Sequence, residues 1–217
     1  MIWLSEKIEF PHYETATKDG IIAIGGDLSP ERLIYAYNHG IFPWYSDNEP
    51  IVWYCPQQRM VLFPEELKVS KSMKKTLNKG SFLITENQAF EEVIFHCKNN
   101  KRKDNFGTWI TNEMEIAYIN LHKLGYAKSI EVWQLDTDPT KTSKKLVGGL
   151  YGVEVGAIFC GESMFSEVSD ASKVAFIHLV QSNNYKLIDC QVYNSHLASL
   201  GAKEIMRDDF LSRLYNQ

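Results

Sequence analysis

Between residues 129 and 192 the chain passes through four short runs rich in β-branched, aromatic and aliphatic residues, at 129–134, 145–151, 155–160 and 186–192. No other feature narrows the fold as far. Runs of this length and make-up read as strands, and the stretch 136–144 between the first two reads as an exposed hairpin tip. The fourth run follows a helical stretch at 171–183. The order predicts an α+β fold: an antiparallel meander followed by a late helix–strand unit.

Two segments of this region, 159–166 and 187–192, set polar groups inside otherwise apolar runs: Glu162 in the first, Asp189 and Gln191 in the second. An unpaired buried charge costs several kcal/mol or shifts its pKa until it neutralises. Such groups are partnered, exposed at a strand end, or working in a site. The residues alone leave two readings equally open: strand-end carboxylates with satisfied hydrogen bonds, or a reaction centre.

Upstream, the chain is turn-rich. The apolar run 21–24 ends at Gly25-Gly26-Asp27, and Ser29-Pro30-Glu31 reads as an N-cap, a proline at the first helical position and an acidic first turn. The predicted helix at 30–39 carries Leu33, Ile34 and Tyr37 on one face and stops at Gly40. Rings beside prolines at 41–45 and 50–56 make a rigid apolar wall, for packing between domains or for a pocket. A composition shift near 56–63 marks a candidate boundary. A helix is expected at 70–79, a strand at 81–85 and helices at 89–97, 111–124 and about 207–214. The helix at 111–124 has Thr111 as its cap and Met114, Ala117, Tyr118 and Leu121 as its apolar face. In the helix at 70–79, Lys71, Lys74, Lys75 and Asn78 share a face, which is either solvated or follows a phosphate backbone. A second basic run holds Lys98, Lys101, Arg102 and Lys103.

Several function classes drop out. No apolar segment approaches the roughly 18 residues of a membrane span, and no leader pattern opens the chain, so a soluble, unsecreted protein is expected. Cys55, Cys97, Cys160 and Cys190 form no CxxC, and the six histidines form no HExxH. Disulfide and zinc readings fail, and free thiols suit a reducing cytoplasm. A net charge of -4 argues against indiscriminate nucleic-acid binding but allows a local basic face. Gly25-Gly26 belongs to neither GxxxxGK nor GxGxxG, so it is a turn and no phosphate loop. Around Ser163 the elbow pattern GxSxG is broken by Phe165, and Glu162 with Asp189 is weak support for a glycosidase pair. What remains is a polar cluster with no metal and no covalent nucleophile. That suits direct attack of an amine on an activated carbonyl, where positioning and proton handling carry the reaction.

The chain also resembles the bacterial leucyl/phenylalanyl-tRNA–protein transferases. The matching pieces are Gly25-Gly26-Asp27-Leu28-Ser29-Pro30, Gly40-Ile41-Phe42-Pro43-Trp44, Gly107-Thr108-Trp109-Ile110-Thr111, Ser129-Ile130-Glu131-Val132-Trp133, 159–166, Ala171-Ser172-Lys173 and 187–191. Asn194, His196 and 198–202 extend the last match. The resemblance implies transfer of Leu or Phe, less efficiently Met, from charged tRNA to proteins with N-terminal Arg or Lys, marking them for N-degron proteolysis. It implies a monomeric enzyme with a small N-terminal α+β domain, 1–62, followed by a GNAT-like acyltransferase domain, 63–217. The aminoacyl ester at the tRNA 3′ end is the acyl donor, with no cofactor and no metal.

By the same resemblance, Asp189 and Gln191 stand at the reaction centre with Glu162 beside them. Asp189 polarises Gln191, whose carbonyl oxygen helps to take a proton from the attacking amine; because a neutral amide is a poor base, orientation is the expected emphasis. Glu162 and Asp189 are assigned to attracting the cationic acceptor. Trp44, Trp109, Phe159, Met164, Leu179 and Ile188 match positions that line the aminoacyl pocket or stack on the terminal adenosine. Lys71, Lys74 and Lys75 match a basic face that tracks the acceptor stem, with Asn78 where another cation is expected. Two alternatives compete. An acetyl-CoA-dependent GNAT enzyme needs a Q/RxxGxG/A loop, which the sequence lacks, and a non-catalytic RNA-binding module leaves Asp189 and Gln191 unexplained.

Overall fold

The computed structural model describes residues 2–100, 109–136 and 143–216. Gly107 and Thr108 of the matched motif, the basic residues Lys101, Arg102 and Lys103, and most of the expected hairpin tip lie outside them.

The chain first builds a small four-stranded sheet from β1 (Trp3–Leu4), β2 (Ile21–Gly25), β3 (Phe42–Pro43) and β4 (Val52–Tyr54), in the order β1-β2-β4-β3. Helix α1 (Pro30–Asn38) lies between β2 and β3, starting on the Ser29 side chain, which accepts the Arg32 N–H. It ends where Gly40 turns into the left-handed region at φ +71. Trp53 is fully buried, and its indole N–H donates to Gly25 O at 2.9 Å, so the ring wall of this segment is fixed at its polar edge too.

The remaining elements are β5 (Gln58–Leu62), α2 (Lys71–Asn78), β6 (Phe82–Glu86), α3 (Phe90–Asn99), α4 (Asn112–Lys123), β7 (Ala127–Leu135), β8 (Lys144–Val155), β9 (Ile158–Ser166), α5 (Ala171–Gln181), β10 (Leu187–Gln191), α6 (Ser195–Ser199), β11 (Lys203–Met206) and α7 (Arg207–Tyr215). Their strands form one seven-stranded sheet in the order β11-β5-β10-β9-β8-β7-β6. Every pair in it is antiparallel except β9 with β10, which α5 joins as a parallel crossover. The result is a mixed α/β architecture. β5 lies on the N-terminal side of the expected 62/63 boundary, and its hydrogen bonds go to β10 and β11 of the larger sheet.

One strand differs from expectation. Val155 does not open the third run; it ends β8, and Gly156 at φ +54 makes the turn. β9 then runs through Gly161 and Glu162, which the sequence pattern placed beyond its end. Such continuation is possible because the pairing slips. Tyr151 faces Ser163 while Gly152 faces Gly161, so Glu162 is an extra residue in a β-bulge. Gly152 is needed there, since a Cβ on it would sit 2.2 Å from Cys160 O. A second bulge interrupts β10: Asp189 faces Val61 and Gln191 faces Met60, leaving Cys190 over.

The sheet separates two apolar clusters. One gathers α1, α3, α4 and α7 with Tyr37, Tyr118 and Cys160; the other gathers α2, α5 and α6 with Phe159, Leu179 and Ile188. The bulge in β9 reverses its alternation: Cys160 belongs to the first cluster, and four residues on Met164 packs against the second. Parallel pairing of β10 with β9 reaches from Leu187 to Asp189 and stops where the two bulges begin.

Candidate active site

Where β9 and β10 part, the sheet opens into a cavity of about 530 Å³. Its lining includes Trp44, Trp109, Phe159, Glu162, Met164, Leu179, Ile188, Asp189 and Gln191, so all the expected catalytic and aminoacyl-pocket positions share one space. Phe42 and Pro43, from the ring-rich segment of the first sheet, lie on the same wall. The aromatic run at 41–45 therefore serves the cavity as well as the core. Trp44 is 41% exposed and Trp109 is half-buried, at the mouth, whereas Phe159, Leu179 and Ile188 are buried.

The two bulges turn polar side chains towards each other. Glu162 Oε1 accepts from Tyr37 OH at 2.6 Å and from Gln191 Nε2 at 2.8 Å, and Oε2 accepts from Tyr118 OH at 3.1 Å. The two phenol oxygens lie 2.5 Å apart. Burial raises the Glu162 pKa, the Tyr37 and Tyr118 hydroxyls lower it, the Asp189 charge raises it again, and the result is a carboxyl pushed up to about 7. Gln191 reaches Glu162 from a left-handed backbone at φ +62, a conformation that glutamine adopts at a cost.

Asp189 holds that conformation in place. Its Oδ1 accepts the Gln191 backbone N–H at 2.9 Å. Both its oxygens also receive Arg59, Nε at 2.8 Å and Nη2 at 2.6 Å, in a bidentate pair. Arg59 donates in addition to Gly40 O at 3.1 Å, and its guanidinium lies 4.6 Å from the ring centres of Phe42 and Phe210. Burial disfavours its charge, but the Asp189 carboxylate outweighs burial and holds the Arg59 pKa above its ordinary value. Asp189 is 0% exposed and its charge is met by Arg59, so little of its field is left to draw a cationic acceptor. It meets Gln191 through the backbone, while the Gln191 amide goes to Glu162.

Tyr37, Tyr118 and Arg59 were not legible as site residues. The two tyrosines read as apolar positions on helix faces, which they also are; the available signal was that a buried phenol needs a polar partner and a buried carboxyl needs donors. Arg59 carried no local pattern at all. Two more polar atoms at the cavity wall, Ser163 Oγ and His196 Nε2, are buried with no hydrogen-bond partner among the described residues. Burial also pushes the Cys160 and Cys190 thiols up, which removes both as thiolate nucleophiles at neutral pH. Among the described residues no group of three His, Cys, Asp or Glu side chains stands where it could hold a metal ion. The chemistry within reach is proton handling and orientation beside an apolar pocket.

Lys71, Lys74 and Lys75 are exposed on α2, apart from this lining. The helix sits on Met73 and Leu77, which pack into the cluster that also holds Phe159, Leu179 and Ile188.

Comparison with known proteins agrees over almost the whole length. The family model described as leucyl/phenylalanyl-tRNA protein transferase matches residues 61–215, and the model of that family's N-terminal domain matches 26–57. A leucyl/phenylalanyl-tRNA--protein transferase of Flavobacterium johnsoniae is 55% identical over 217 residues, and one of Flavobacterium psychrophilum is 54% identical over 217 residues. Each alignment covers 99% of this chain and 99% of the relative. A crystal structure of FemX aligns at 9% identity with a TM-score of 0.49, covering 86% of this chain and 71% of that one, a likeness too distant to carry an argument. On the family matches and these relatives, the chain belongs to the leucyl/phenylalanyl-tRNA protein transferase family and is an aminoacyltransferase.

Proposed function

We propose that this enzyme moves Leu or Phe, and less efficiently Met, from charged tRNA to the α-amine of proteins that begin with Arg or Lys. The product is marked for N-degron proteolysis. One observation carries the reading: an apolar cavity bordered by Trp44, Phe159, Met164, Leu179 and Ile188 that holds Glu162 and Gln191 against the same space. The apolar lining receives the aminoacyl side chain, with the rings of Trp44 and Trp109 at the mouth for the terminal adenosine. Shape then admits Leu, Phe and Met and rejects β-branched Val or Ile by about 1–3 kcal/mol. Glu162 faces the acceptor amine, and Asp189, through the Gln191 backbone, fixes the glutamine that orients Glu162. The exposed lysines of α2 follow the acceptor stem.

No cofactor enters the reaction, because the aminoacyl ester is already activated. The parting of the parallel pair β9 and β10 at the cavity supports a GNAT-like catalytic domain following a small N-terminal domain. We place the enzyme in the cytoplasm as a monomer. None of the described helices is long and apolar enough to cross a membrane, and the four cysteines are free thiols.

The test is transfer of labelled leucine from Leu-tRNA to a peptide with N-terminal Arg, beside a matched peptide that starts with Ala. Incorporation into the Arg peptide alone, lost when ribonuclease destroys the Leu-tRNA beforehand, is the expected result. Equal labelling of both peptides, or none by folded protein, would sink the acceptor assignment.

A further inference from the structure

Tyr37, Tyr118 and Glu162 close a ring of three oxygen–oxygen contacts, at 2.6 Å, 3.1 Å and 2.5 Å. Each contact needs one proton, and each phenol brings one. With Glu162 ionised, two protons serve three contacts, and one pair of oxygens meets lone pair to lone pair however the hydroxyls turn. With Glu162 protonated the count is complete, and every contact is a hydrogen bond. Among the described residues nothing cationic competes for the carboxyl. Arg59 directs its donors to Asp189 and Gly40 O, and Glu162 makes no ion pair among the described residues.

We propose that the Tyr37–Tyr118–Glu162 ring is the proton-accepting site for the attacking amine, with Glu162 as the base and the two phenols as the groups that hold the proton it receives. The proposal rests on the transfer to an α-amine argued above and assigns the proton step within it. A carboxylate offers roughly four acceptor positions. Tyr37, Tyr118 and Gln191 occupy three of these, and Glu162 lines the cavity through which an ammonium group would reach the fourth.

The step balances. An N–H bond of the acceptor ammonium breaks and an O–H bond forms on Glu162. The freed lone pair forms the C–N bond at the ester carbonyl, giving a tetrahedral adduct whose nitrogen is still positively charged. That nitrogen loses its second proton as the C–O bond breaks; the bond's electron pair goes to the ribose oxygen, which takes up a proton and leaves as a hydroxyl. Of the two protons lost from nitrogen, one ends on ribose and one passes from Glu162 to solvent, restoring the carboxylate.

The groups facing Glu162 come from every side. They are Tyr37 of α1, Tyr118 of α4, Tyr151 of β8 across the Tyr118 ring, Cys160 of β9, and Asp189 of β10 with Arg59 of β5 behind it. Burial raises Tyr37, Tyr118 and Cys160 well above their ordinary values, so all three stay protonated where Glu162 titrates. Gln191 is then a positioning residue, whose amide donates to Oε1 and fixes the carboxyl.

Transfer measured against pH decides the matter, with wild type, Y37F, Y118F and E162Q. Phenylalanine keeps the ring volume and removes two things at once, a donor to the carboxylate and the phenol–phenol contact that lacks a proton when Glu162 is ionised. The acidic limb of the wild-type profile should therefore move by about one in both tyrosine variants, upward where the lost donor dominates and downward where the relieved contact does. E162Q should lose that limb and transfer about 100-fold more slowly. The acceptor amine contributes a limb of its own, which no substitution in the enzyme moves. A limb left in place by both Y37F and Y118F, or kept unchanged in E162Q, overturns the proposal. Infrared titration of the enzyme without substrate gives a second measurement. A protonated-carboxyl band present below neutrality, lost above it and missing from E162Q supports the ring, and absence of that band from wild type overturns it. Failure of wild type to transfer at any pH would instead count against the reaction assigned above, and the infrared result would still decide the ring.

Discussion

A carboxyl held by neutral donors and no cation is costly to ionise, and Glu162 shows this in its pKa of about 7, against an ordinary 4.5. Within that interval the folded protein keeps a proton that the unfolded chain has released, so stability falls as pH rises through it. Glu162→Gln cannot ionise. The stability difference between variant and wild type should shift in the variant's favour by on the order of 3 kcal/mol across this window. Thermal unfolding of both proteins at about pH 5 and about pH 8 checks it; a stability gap that does not change with pH would show that the folded state leaves the group unperturbed. The variant is thus expected to be steadier against rising pH and less active, as a working group in an unfavourable environment requires. Glu162 itself was legible, because a charge inside an apolar run asks for an explanation. Its partners were not. Tyr37 and Tyr118 fall on apolar helix faces 81 residues apart, and nothing local tells that their hydroxyls meet.

Helices were the most legible elements, because caps and stops are local: Ser29 and Thr111 cap where the sequence indicates, and α2 is capped by Ser70. The two bulges were invisible for the opposite reason. A bulge is a property of the register between strands far apart in the chain, and it decides whether Glu162 and Gln191 face each other. Gly152 is the local trace of the first. Gly152→Ala would bring a Cβ to 2.2 Å from Cys160 O and 2.6 Å from the Phe159 ring. A loss of more than about 2 kcal/mol in urea unfolding is expected. Gly161→Ala, across the same pair, meets only Asp189 O at 3.5 Å and should cost less than about 1 kcal/mol. A Gly152→Ala cost as small as that of Gly161→Ala would mean that the bulge tolerates a side chain at either glycine. The second bulge depends on the clamp behind it. Arg59→Met leaves the buried Asp189 carboxylate unpaired and should cost about 3–5 kcal/mol, whereas Arg59→Met with Asp189→Leu should recover most of that loss. The double variant should still transfer poorly, since the Gln191 N–H then has no acceptor and its φ of +62 no support. Recovery of activity along with stability would make the clamp purely a packing device.

Over the whole molecule, the order of runs indicated the meander and a late helix–strand unit, but neither the parallel pairing of that last strand nor the strands that complete the sheet. β5 and β11 are short and carry no alternation, and they find their places only through β10 and each other. Outside the sheet, α2 packs on the cluster that also lines the cavity, with its lysines exposed. A protein of net charge -4 repels a polyanion at long range, so an RNA ligand must be drawn by a local field. The exposed Lys71, Lys74 and Lys75, gathered on one helix face, supply one. Each phosphate contact contributes about 0.7–0.9 to the slope of log affinity against log salt concentration. Replacing the three lysines by glutamine should therefore flatten that slope by about 2 to 3 and weaken charged-tRNA binding most at low salt. The same variant should raise the KM for charged tRNA while kcat changes little, because the lysines stand outside the cavity lining. Filter binding across a salt series, paired with steady-state transfer, separates the possibilities. An unchanged slope would make this face merely solvated, and a fall in kcat at unchanged affinity would mean that α2 acts through Met73 and Leu77 on the cavity wall.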